Sequence, residues 1–235
     1  MLAPLLLTSS PRPDTFAAMK SKPRIVAFAS GRGSNFCAIA DDLRASANAQ
    51  APPAEVVLLI SDNPDAPAIA EAERRGIATA LVDPGQRPGR LPRESTDRIL
   101  HLLDQHGADL VVLAGFMRIL PKRMVRAHAG QILNVHPSLL PSFRGLDAQA
   151  QAVNAGVRIA GCTVHFVDEG MDTGPILLQA AVAVHRDDTS ETLAARILVE
   201  EHRIYAQAVR LFVTGRIRLE DGRVFVLDEP PTMIS

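Results

Sequence analysis

The chain has 235 residues and a formal net charge of −1, and its 25 Lys and Arg residues are scattered along the sequence. This length predicts one domain with a substantial core, and the scattered charge argues against a protein that wraps nucleic acid. No apolar run reaches the roughly 20 residues that cross a bilayer. The two cysteines form no CxxC, and the histidines form no HxH or HExxH pair, so we expect a cytoplasmic protein without a membrane segment, nucleic-acid partner or metal.

Residues 1–20 have the composition of a disordered extension. Leu2 to Leu7 form a short apolar run with no basic residue before it, which matches a secretory signal poorly, and a Ser- and Pro-rich stretch follows. Met19 is an alternative start just ahead of the first predicted strand. We expect residues 1–20 to be dispensable for soluble, active protein.

Apolar runs alternate with helical patterns along most of the chain. RIVAFAS (24–30) predicts a buried strand, and NFCAIADDLRAS (35–46) predicts a helix because Phe36, Ile39 and Leu43 recur at helical spacing. Further strands are predicted over 55–61, 78–82, 109–115, 131–136, 158–167 and 175–184. Further helices are predicted over 66–76, 93–107 and 189–215, and a hairpin is predicted around Asp221-Gly222.

The order of these elements predicts the fold class. Up to His136, strands and helices alternate, which predicts a mostly parallel sheet with right-handed crossovers. The runs 158–167 and 175–184 have no helix between them, which predicts an antiparallel C-terminal portion. We therefore expect an α/β fold of Rossmann-like type, an open twisted sheet with helices on both faces.

The stretch SGRGSN (30–35) lies between the first predicted strand and the first predicted helix. A helix N-terminus at the carboxyl end of a strand binds anions through its unpaired N–H groups. A dinucleotide loop would need a third glycine where Phe36 stands, although Asp62 could mimic its ribose-binding acid, and a Walker loop would need Gly-Lys-Ser/Thr. The spacing favours a single phosphate, and a plain tight turn is the alternative.

The stretch NVHPSLLPSF (134–143) ends a buried strand with two polar side chains. Asn134 and His136 project to the same face because successive strand side chains alternate. Asp172 lies in an acidic, Gly-rich loop and can supply a carboxylate to the imidazole. An amide, an imidazole and a carboxylate suit direct acyl transfer to an amine, and Ser138 lacks the strand-to-helix elbow of a nucleophile. The Leu140–Pro141 bond is a candidate for the cis form.

Five segments carry a resemblance to a known family: SGRGSN, VVLAGFMRIL, NVHPSLLPSFRG, GCTVHFVDEGMDTGPILLQ and EEHRIYAQAV. In their order and spacing the chain resembles the phosphoribosylglycinamide formyltransferases, folate-dependent enzymes of purine synthesis, from about Arg24 to Leu219. The resemblance implies formyl transfer from 10-formyltetrahydrofolate to the amine of glycinamide ribonucleotide, without a metal. It also implies a monomer or a weak homodimer.

The resemblance implies a role for each matching residue. Asn134 and His136 would hold and polarise the formyl oxygen, and Asp172, directly or through water, would move protons from the attacking amine towards the leaving folate nitrogen. Glu201 would bind the glycinamide end of the substrate. The residues that would cradle its phosphate are Gly33, Ser34 and Asn35.

The folate site implied by the resemblance draws on both halves of the chain. Its residues would be Arg93, Met117, Arg118, Ile119, Leu120, Val167 and Asp168. For Met117, Ile119 and Leu120 the alternative is ordinary core packing. We expect a single formyltransferase domain over 21–235, with a phosphate-binding half over 24–115 and a folate-binding and catalytic half over 116–220.

The chain departs from the family at four positions, which leaves the details of the substrate loop open. Arg144 and Ala206 stand where many members carry Pro, and Asp147 and Gln149 stand where histidines are common. Arg144-Gly145 is similar to the formyltransferases of initiator methionyl-tRNA. Another formyl-folate enzyme of the superfamily is the nearest alternative, but the methionyl-tRNA formyltransferases carry an extra C-terminal domain and the formyltetrahydrofolate hydrolases an N-terminal one, which we do not expect here. A non-catalytic Rossmann-like binding module is the alternative from another class.

Overall fold

The structure is a computed structural model that describes residues 22–46, 54–87 and 89–227. The predictions for residues 1–20 lie outside this range. Its strands are β1 (Arg24–Phe28), β2 (Glu55–Ser61), β3 (Ala78–Leu81), β4 (Leu110–Leu113), β5 (Ile132–His136), β6 (Ile159–Phe166), β7 (Ile176–Ala183), β8 (Ile217–Glu220) and β9 (Arg223–Val226). Its helices are α1 (Ser34–Ser46), α2 (Pro67–Arg74), α3 (Arg93–Gln105), α4 (Lys122–Ala127), α5 (Ala148–Asn154) and α6 (Ser190–Val213).

The first seven strands form one sheet in the order β3-β2-β1-β4-β5-β6-β7. The pairs from β3 to β5 are parallel, and β6 and β7 are antiparallel to their neighbours. The chain moves outward in one direction from β1 to β3 and in the other from β4 onward. This reversal leaves a crevice beyond the carboxyl ends of β1 and β4, the usual ligand position in an open α/β sheet.

Alternation along the strands separates the core into two layers. Ile25 and Ala27 of β1 face a layer that includes residues of α1, α2, α5 and α6, whereas Val26 and Phe28 face a layer that includes residues of α3 and α4. Helices therefore cover both faces, and the expected Rossmann-like α/β architecture is confirmed. The hairpin β8–β9 and the cis Leu140–Pro141 bond are also present as predicted.

Two short helices, α4 and α5, are absent from the sequence prediction. The long helix α6 begins after Thr189, whose side chain forms a capping box with Thr192, as the Ser/Thr signal predicts. Within the described part of the chain, no helix combines the length and apolar character needed to cross a membrane.

Candidate active site

The residues predicted to act on substrate gather at the carboxyl edge of the parallel strands. The stretch SGRGSN begins two residues after β1, the segment Met117–Leu120 follows β4, and Asn134 and His136 lie in the last three positions of β5. Glu201 reaches the same edge from α6 and is within electrostatic reach of His136.

Backbone contacts shape the predicted phosphate loop. The turn after β2 holds it through Asn63, whose Nδ2 donates to the Ser30 carbonyl at 3.1 Å, and through Ala68, whose N–H donates to the Gly31 carbonyl at 3.1 Å. Gly33 has φ +71°, and a Cβ there would lie 2.6 Å from the Ala68 Cβ, whereas a Cβ on Gly31 would meet nothing within 4 Å. The loop therefore requires glycine at 33 for its own geometry.

Two of the three residues predicted to bind phosphate open helix α1, and they differ in what their side chains do. Ser34 begins the helix and is half-buried, and the first N–H groups of α1 lie at the crevice edge without partners inside the helix. The Asn35 side chain instead donates from Nδ2 to Glu201 Oε2 at 2.7 Å. The other amide atom of this side chain, Oδ1, is buried without a hydrogen-bond partner among the described residues.

Glu201 is a buried carboxylic acid at the bottom of this edge. Burial raises the pKa of its carboxyl group, and the hydrogen bond from Asn35 opposes that shift. The Glu201 carboxyl oxygens and the unpartnered Asn35 Oδ1 can accept hydrogen bonds from a group that carries N–H donors. The arrangement suits an amine or ammonium.

The predicted catalytic residues are brought together. His136 Nδ1 lies 3.4 Å from Asp172 Oδ2, and His136 Nε2 lies 2.9 Å from the Phe143 carbonyl oxygen, to which it donates. Asp172 itself has φ +52°. With one ring proton on Nε2, a hydrogen bond to Asp172 requires a second proton between Nδ1 and the carboxylate. The geometry therefore suits a group that holds a mobile proton.

His165 is a member of this cluster that the sequence reasoning misses. It pairs with Asn134 across β5 and β6, and its Nε2 lies 3.3 Å from Asn134 Nδ2 and 3.8 Å from Asp172 Oδ1. Its Nδ1 donates to the Phe166 carbonyl at 2.9 Å, and burial lowers the pKa of the imidazole. A neutral His165 therefore accepts one N–H of Asn134 and fixes the direction of that amide.

The backbone of the loop 143–147 is bound to the catalytic residues. The Gly145 N–H donates to Asp172 Oδ2 at 2.9 Å, and the Phe143 carbonyl accepts from His136. Arg144, one of the departures from the family, lies between these two contacts, and Asp147 precedes α5 with φ +55°. A shift of the loop 143–147 would therefore move the hydrogen-bond partners of both His136 and Asp172.

The turn after β5 is held from the neighbouring strands. Thr163 Oγ1 donates to the Ser138 carbonyl at 2.7 Å and accepts from the Leu140 N–H at 3.0 Å. Ser138 is 2% exposed, and its hydroxyl donates to the Ser142 carbonyl at 2.6 Å. Ser138 has a structural role here, in line with the prediction that it is not a nucleophile.

The predicted folate segment Met117–Leu120 exposes two apolar side chains and buries a third. Met117 and Ile119 are 63% and 56% exposed, whereas Leu120 packs in the core. The Met117 N–H donates to Ser30 Oγ at 2.8 Å and the Ile119 N–H donates to the Gly89 carbonyl at 2.8 Å. Because these two N–H groups are already bonded within the protein, only the other backbone N–H and C=O groups of the segment are available to a ligand.

The other predicted folate residues surround this segment. The Arg118 guanidinium is bound to Asp62, with Nε 2.5 Å from Oδ2. Arg93 is exposed at the start of α3. Val167 packs against the core, and Asp168 Oδ1 accepts from Thr173 Oγ1 at 2.7 Å and from the Gly170 N–H at 3.0 Å. Asp168 thus shapes the loop that carries Asp172.

A family model described as formyl transferase matches residues 23–209 of the chain. The chain belongs to the formyl transferase family. The matched range contains every predicted site residue, from Gly33 to Glu201.

Relatives of this formyl transferase include single-activity and multifunctional proteins. The chain is 41% identical to the phosphoribosylglycinamide formyltransferase of Bacillus subtilis (strain 168), a match that covers 80% of the chain and 93% of that protein. It is 41% identical to the trifunctional purine biosynthetic protein adenosine-3 of Bos taurus over 89% of the chain, but it spans only 20% of that protein. The crystal structure of glycinamide ribonucleotide transformylase 1 from Symbiobacterium toebii superposes with a TM-score of 0.82 at 46% identity, covering 89% of this chain and 96% of that one.

A single tyrosine ties the formyl transferase site to helix α6. Tyr205 is fully buried, and its hydroxyl lies 2.8 Å from the Leu133 carbonyl oxygen and 3.1 Å from that of Leu113. It stands one turn after Glu201 on α6 and reaches the strands β4 and β5 next to Asn134.

Within the described residues, no group of three His, Cys, Asp or Glu side chains could hold a metal ion.

Proposed function

We propose that this protein transfers the formyl group of 10-formyltetrahydrofolate to the amine of glycinamide ribonucleotide, a step of purine biosynthesis. The observation that carries the proposal is the cluster of Asn134, His136 and Asp172, an amide, an imidazole and a carboxylate at the edge where a helix N-terminus is ready for a phosphate. Family membership and the named relatives support the same reaction.

The phosphate of glycinamide ribonucleotide would bind at the N-terminus of α1. The first turn of a helix offers unpaired N–H groups and the positive end of the helix dipole. Ser34 adds a hydroxyl donor, and Gly33 gives the chain the turn that the loop needs. Asn35, although predicted to bind phosphate, points to Glu201, so its contribution would be made through its backbone N–H.

The glycinamide amine would bind between Glu201 and Asn35. Glu201 Oε1 and Oε2 and the unpartnered Asn35 Oδ1 accept hydrogen bonds, and an amine supplies the N–H donors. An ammonium form would also offset the buried carboxylate charge. The amine would then lie near His136, which is within electrostatic reach of Glu201.

The chemical step joins the amine nitrogen to the formyl carbon and breaks the bond between that carbon and folate N10. Negative charge develops on the formyl oxygen, and Asn134, with one N–H on His165, would donate its second N–H to that oxygen. His136 would donate from Nε2 to the same formyl oxygen in place of its present acceptor, the Phe143 carbonyl. Asp172 would take the proton lost by the amine and return it to N10.

The folate ring would lie along Met117–Leu120. Met117 and Ile119 offer exposed apolar surface that suits the flat faces of a pteridine, and backbone groups beside them suit its polar edge. The loop 167–172 would close the opposite side. Arg93, exposed at the start of α3, would meet the negatively charged folate tail.

The test is an assay with glycinamide ribonucleotide and 10-formyltetrahydrofolate that follows tetrahydrofolate release and formation of the N-formyl product. We expect both products in equal amounts. A parallel reaction without glycinamide ribonucleotide measures hydrolysis, and one with methionyl-tRNA in its place measures the other known acceptor. Tetrahydrofolate release that is independent of glycinamide ribonucleotide would contradict the proposal, and tight binding of NAD would favour a dinucleotide-binding module instead.

A further inference from the structure

Asp62 is a buried acid at the end of β2 that the proposed chemistry does not use. The residue is 5% exposed, and its two carboxylate oxygens have different partners. Oδ1 accepts from the Ser30 hydroxyl at 2.5 Å, and Oδ2 accepts from Arg118 Nε at 2.5 Å. Among the described residues, Arg118 has no other carboxylate within ion-pair distance. A carboxylate so enclosed is held in one orientation.

The Ser30 hydroxyl connects Asp62 to the segment that follows β4. It donates to Asp62 and accepts from the Met117 N–H at 2.8 Å. The Ser30 backbone is fixed independently, because its N–H donates to the Gly115 carbonyl at 3.1 Å and its carbonyl accepts from Asn63. The hydroxyl is therefore a short relay between Asp62 and the start of the folate segment.

Both carboxylate oxygens of Asp62 thus hold the start of the segment Met117–Leu120. One oxygen holds Met117 through Ser30, and the other holds Arg118 directly. These two residues precede Ile119, and Met117 and Ile119 carry the exposed apolar surface of the segment. Ser30 is also the first residue of the phosphate loop, but among the described residues the rest of that loop, 31–35, forms no hydrogen bond or ion pair with the Asp62 carboxylate. Asn63 and Ala68 hold the loop through its backbone carbonyl groups instead.

We propose that Asp62 is a positioning residue for the folate co-substrate, although it follows β2 on the phosphate-binding side of the sheet. The proposal rests on the proposed function, because it assumes that Met117–Leu120 binds folate. Asp62 touches no reacting atom; it fixes the first two residues of the segment so that the apolar surface is present before the ligand arrives. Loss of this order weakens the binding of folate and leaves the binding of glycinamide ribonucleotide unchanged.

The test compares ligand binding by the intact chain with that of Asp62→Asn, which keeps the shape of the side chain and removes its charge. Tetrahydrofolate and glycinamide ribonucleotide are titrated separately by calorimetry. We expect the Kd for tetrahydrofolate to rise about tenfold, the effect of one lost charge-assisted hydrogen bond. The Kd for glycinamide ribonucleotide stays within about twofold, and kcat at saturating folate within about threefold of the parent.

Asp41→Asn is the matched control. Asp41 also meets an arginine through both carboxylate oxygens, each 2.8 Å from Arg75, but on the outer part of α1. It should leave both dissociation constants unchanged. Ser30→Ala is the second variant, because it removes the relay to Met117 and keeps the Asp62–Arg118 ion pair; it should weaken tetrahydrofolate binding selectively, by a smaller factor.

Equal weakening of both ligands in Asp62→Asn, or an unchanged Kd for tetrahydrofolate, would overturn the proposal. If Asp62→Asn does not fold, Ser30→Ala decides by the same two constants. A parent chain that binds tetrahydrofolate but forms no N-formyl product would contradict the proposed function and leave this inference to the binding data. A parent chain that does not bind tetrahydrofolate would contradict both.

Discussion

The phosphate loop and the catalytic cluster lie at the same edge of the sheet and are built in different ways. The loop is made by backbone: a glycine with positive φ, the first turn of α1, and hydrogen bonds from the turn after β2. The cluster is made by side chains that come from β5, β6 and a loop and meet one another. A backbone site should tolerate side-chain changes except at its glycine, and a side-chain site should not.

The largest effect is expected in the cluster. Asp172→Asn and His136→Ala should each lower kcat at least ~10²-fold, because each removes a proton-transfer group or oxyanion donor from the reacting centre. Steady-state rates with both substrates saturating measure this. The thermal midpoints of the variants serve as a control, and turnover close to that of the parent in either variant would refute the assignment.

The loop should fail at its glycine. Gly33→Ala places a Cβ 2.6 Å from the Ala68 Cβ at φ +71°, which should cost about 1–3 kcal/mol in the free energy of unfolding and weaken glycinamide ribonucleotide binding. Urea unfolding measures the first effect. Gly31→Ala is the matched control because its Cβ meets nothing within 4 Å; equal losses in the two variants would break the distinction between the two glycines.

Glu201 connects the two regions and predicts a dependence on pH. Burial raises the pKa of its carboxyl group above the ordinary value of 4.5, so the folded chain holds that proton more tightly than the unfolded chain. Its contribution to stability is complete below pH 4.5 and is lost as the pH rises through the folded pKa. Glu201→Gln cannot ionise and still accepts from Asn35.

We therefore expect the free energy of unfolding of Glu201→Gln to gain on that of the parent as the pH rises from 4.5 through the raised pKa of the folded Glu201 carboxyl group, while glycinamide ribonucleotide binding weakens. Urea unfolding at several pH values gives the difference. Parallel curves for the two proteins would show that Glu201 does not supply this pH dependence.

The smallest effect is expected at Ser34. Ser34→Ala removes one hydroxyl donor and leaves the N–H groups of α1, so the KM for glycinamide ribonucleotide should rise about three- to tenfold, as for one lost hydrogen bond, with kcat nearly unchanged. Steady-state titration of the substrate measures both constants. A loss of kcat as large as that of Asp172→Asn would mean that the two regions are not built differently.

The local sequence pattern predicts most strands and helices of this molecule. It does not predict the features that depend on contacts between residues far apart in the chain. The main strands carry runs of buried apolar residues that are visible in the sequence, and Asn134 and His136 share a face by simple alternation. Helix α4 has only six residues, and α5 alternates Ala with Gln over most of its length, so neither shows a helical apolar stripe. Their absence from the prediction follows from this.

His165 and Asp62 show the limit for the site. His165 meets Asn134 through the register of β5 with β6, and the two strands are joined by a long connection that contains α5, so the local sequence pattern does not indicate this register. Asp62 is visible in sequence as an acid after a strand, but its partners Ser30 and Arg118 come from the ends of two other strands. A local pattern identifies the first residue of such a network and does not identify its partners.

Tyr205 gives the site an intrinsic optical signal. The sequence has one tyrosine and no tryptophan, so tyrosine fluorescence, excited at wavelengths where phenylalanine does not absorb, comes from a single phenol. That phenol lies against the carbonyl groups of β4 and β5, one helical turn from Glu201. A movement of α6 against these strands would change the hydrogen bond of this phenol and therefore its emission, so the unlabelled protein reports on the packing of α6 beside the site.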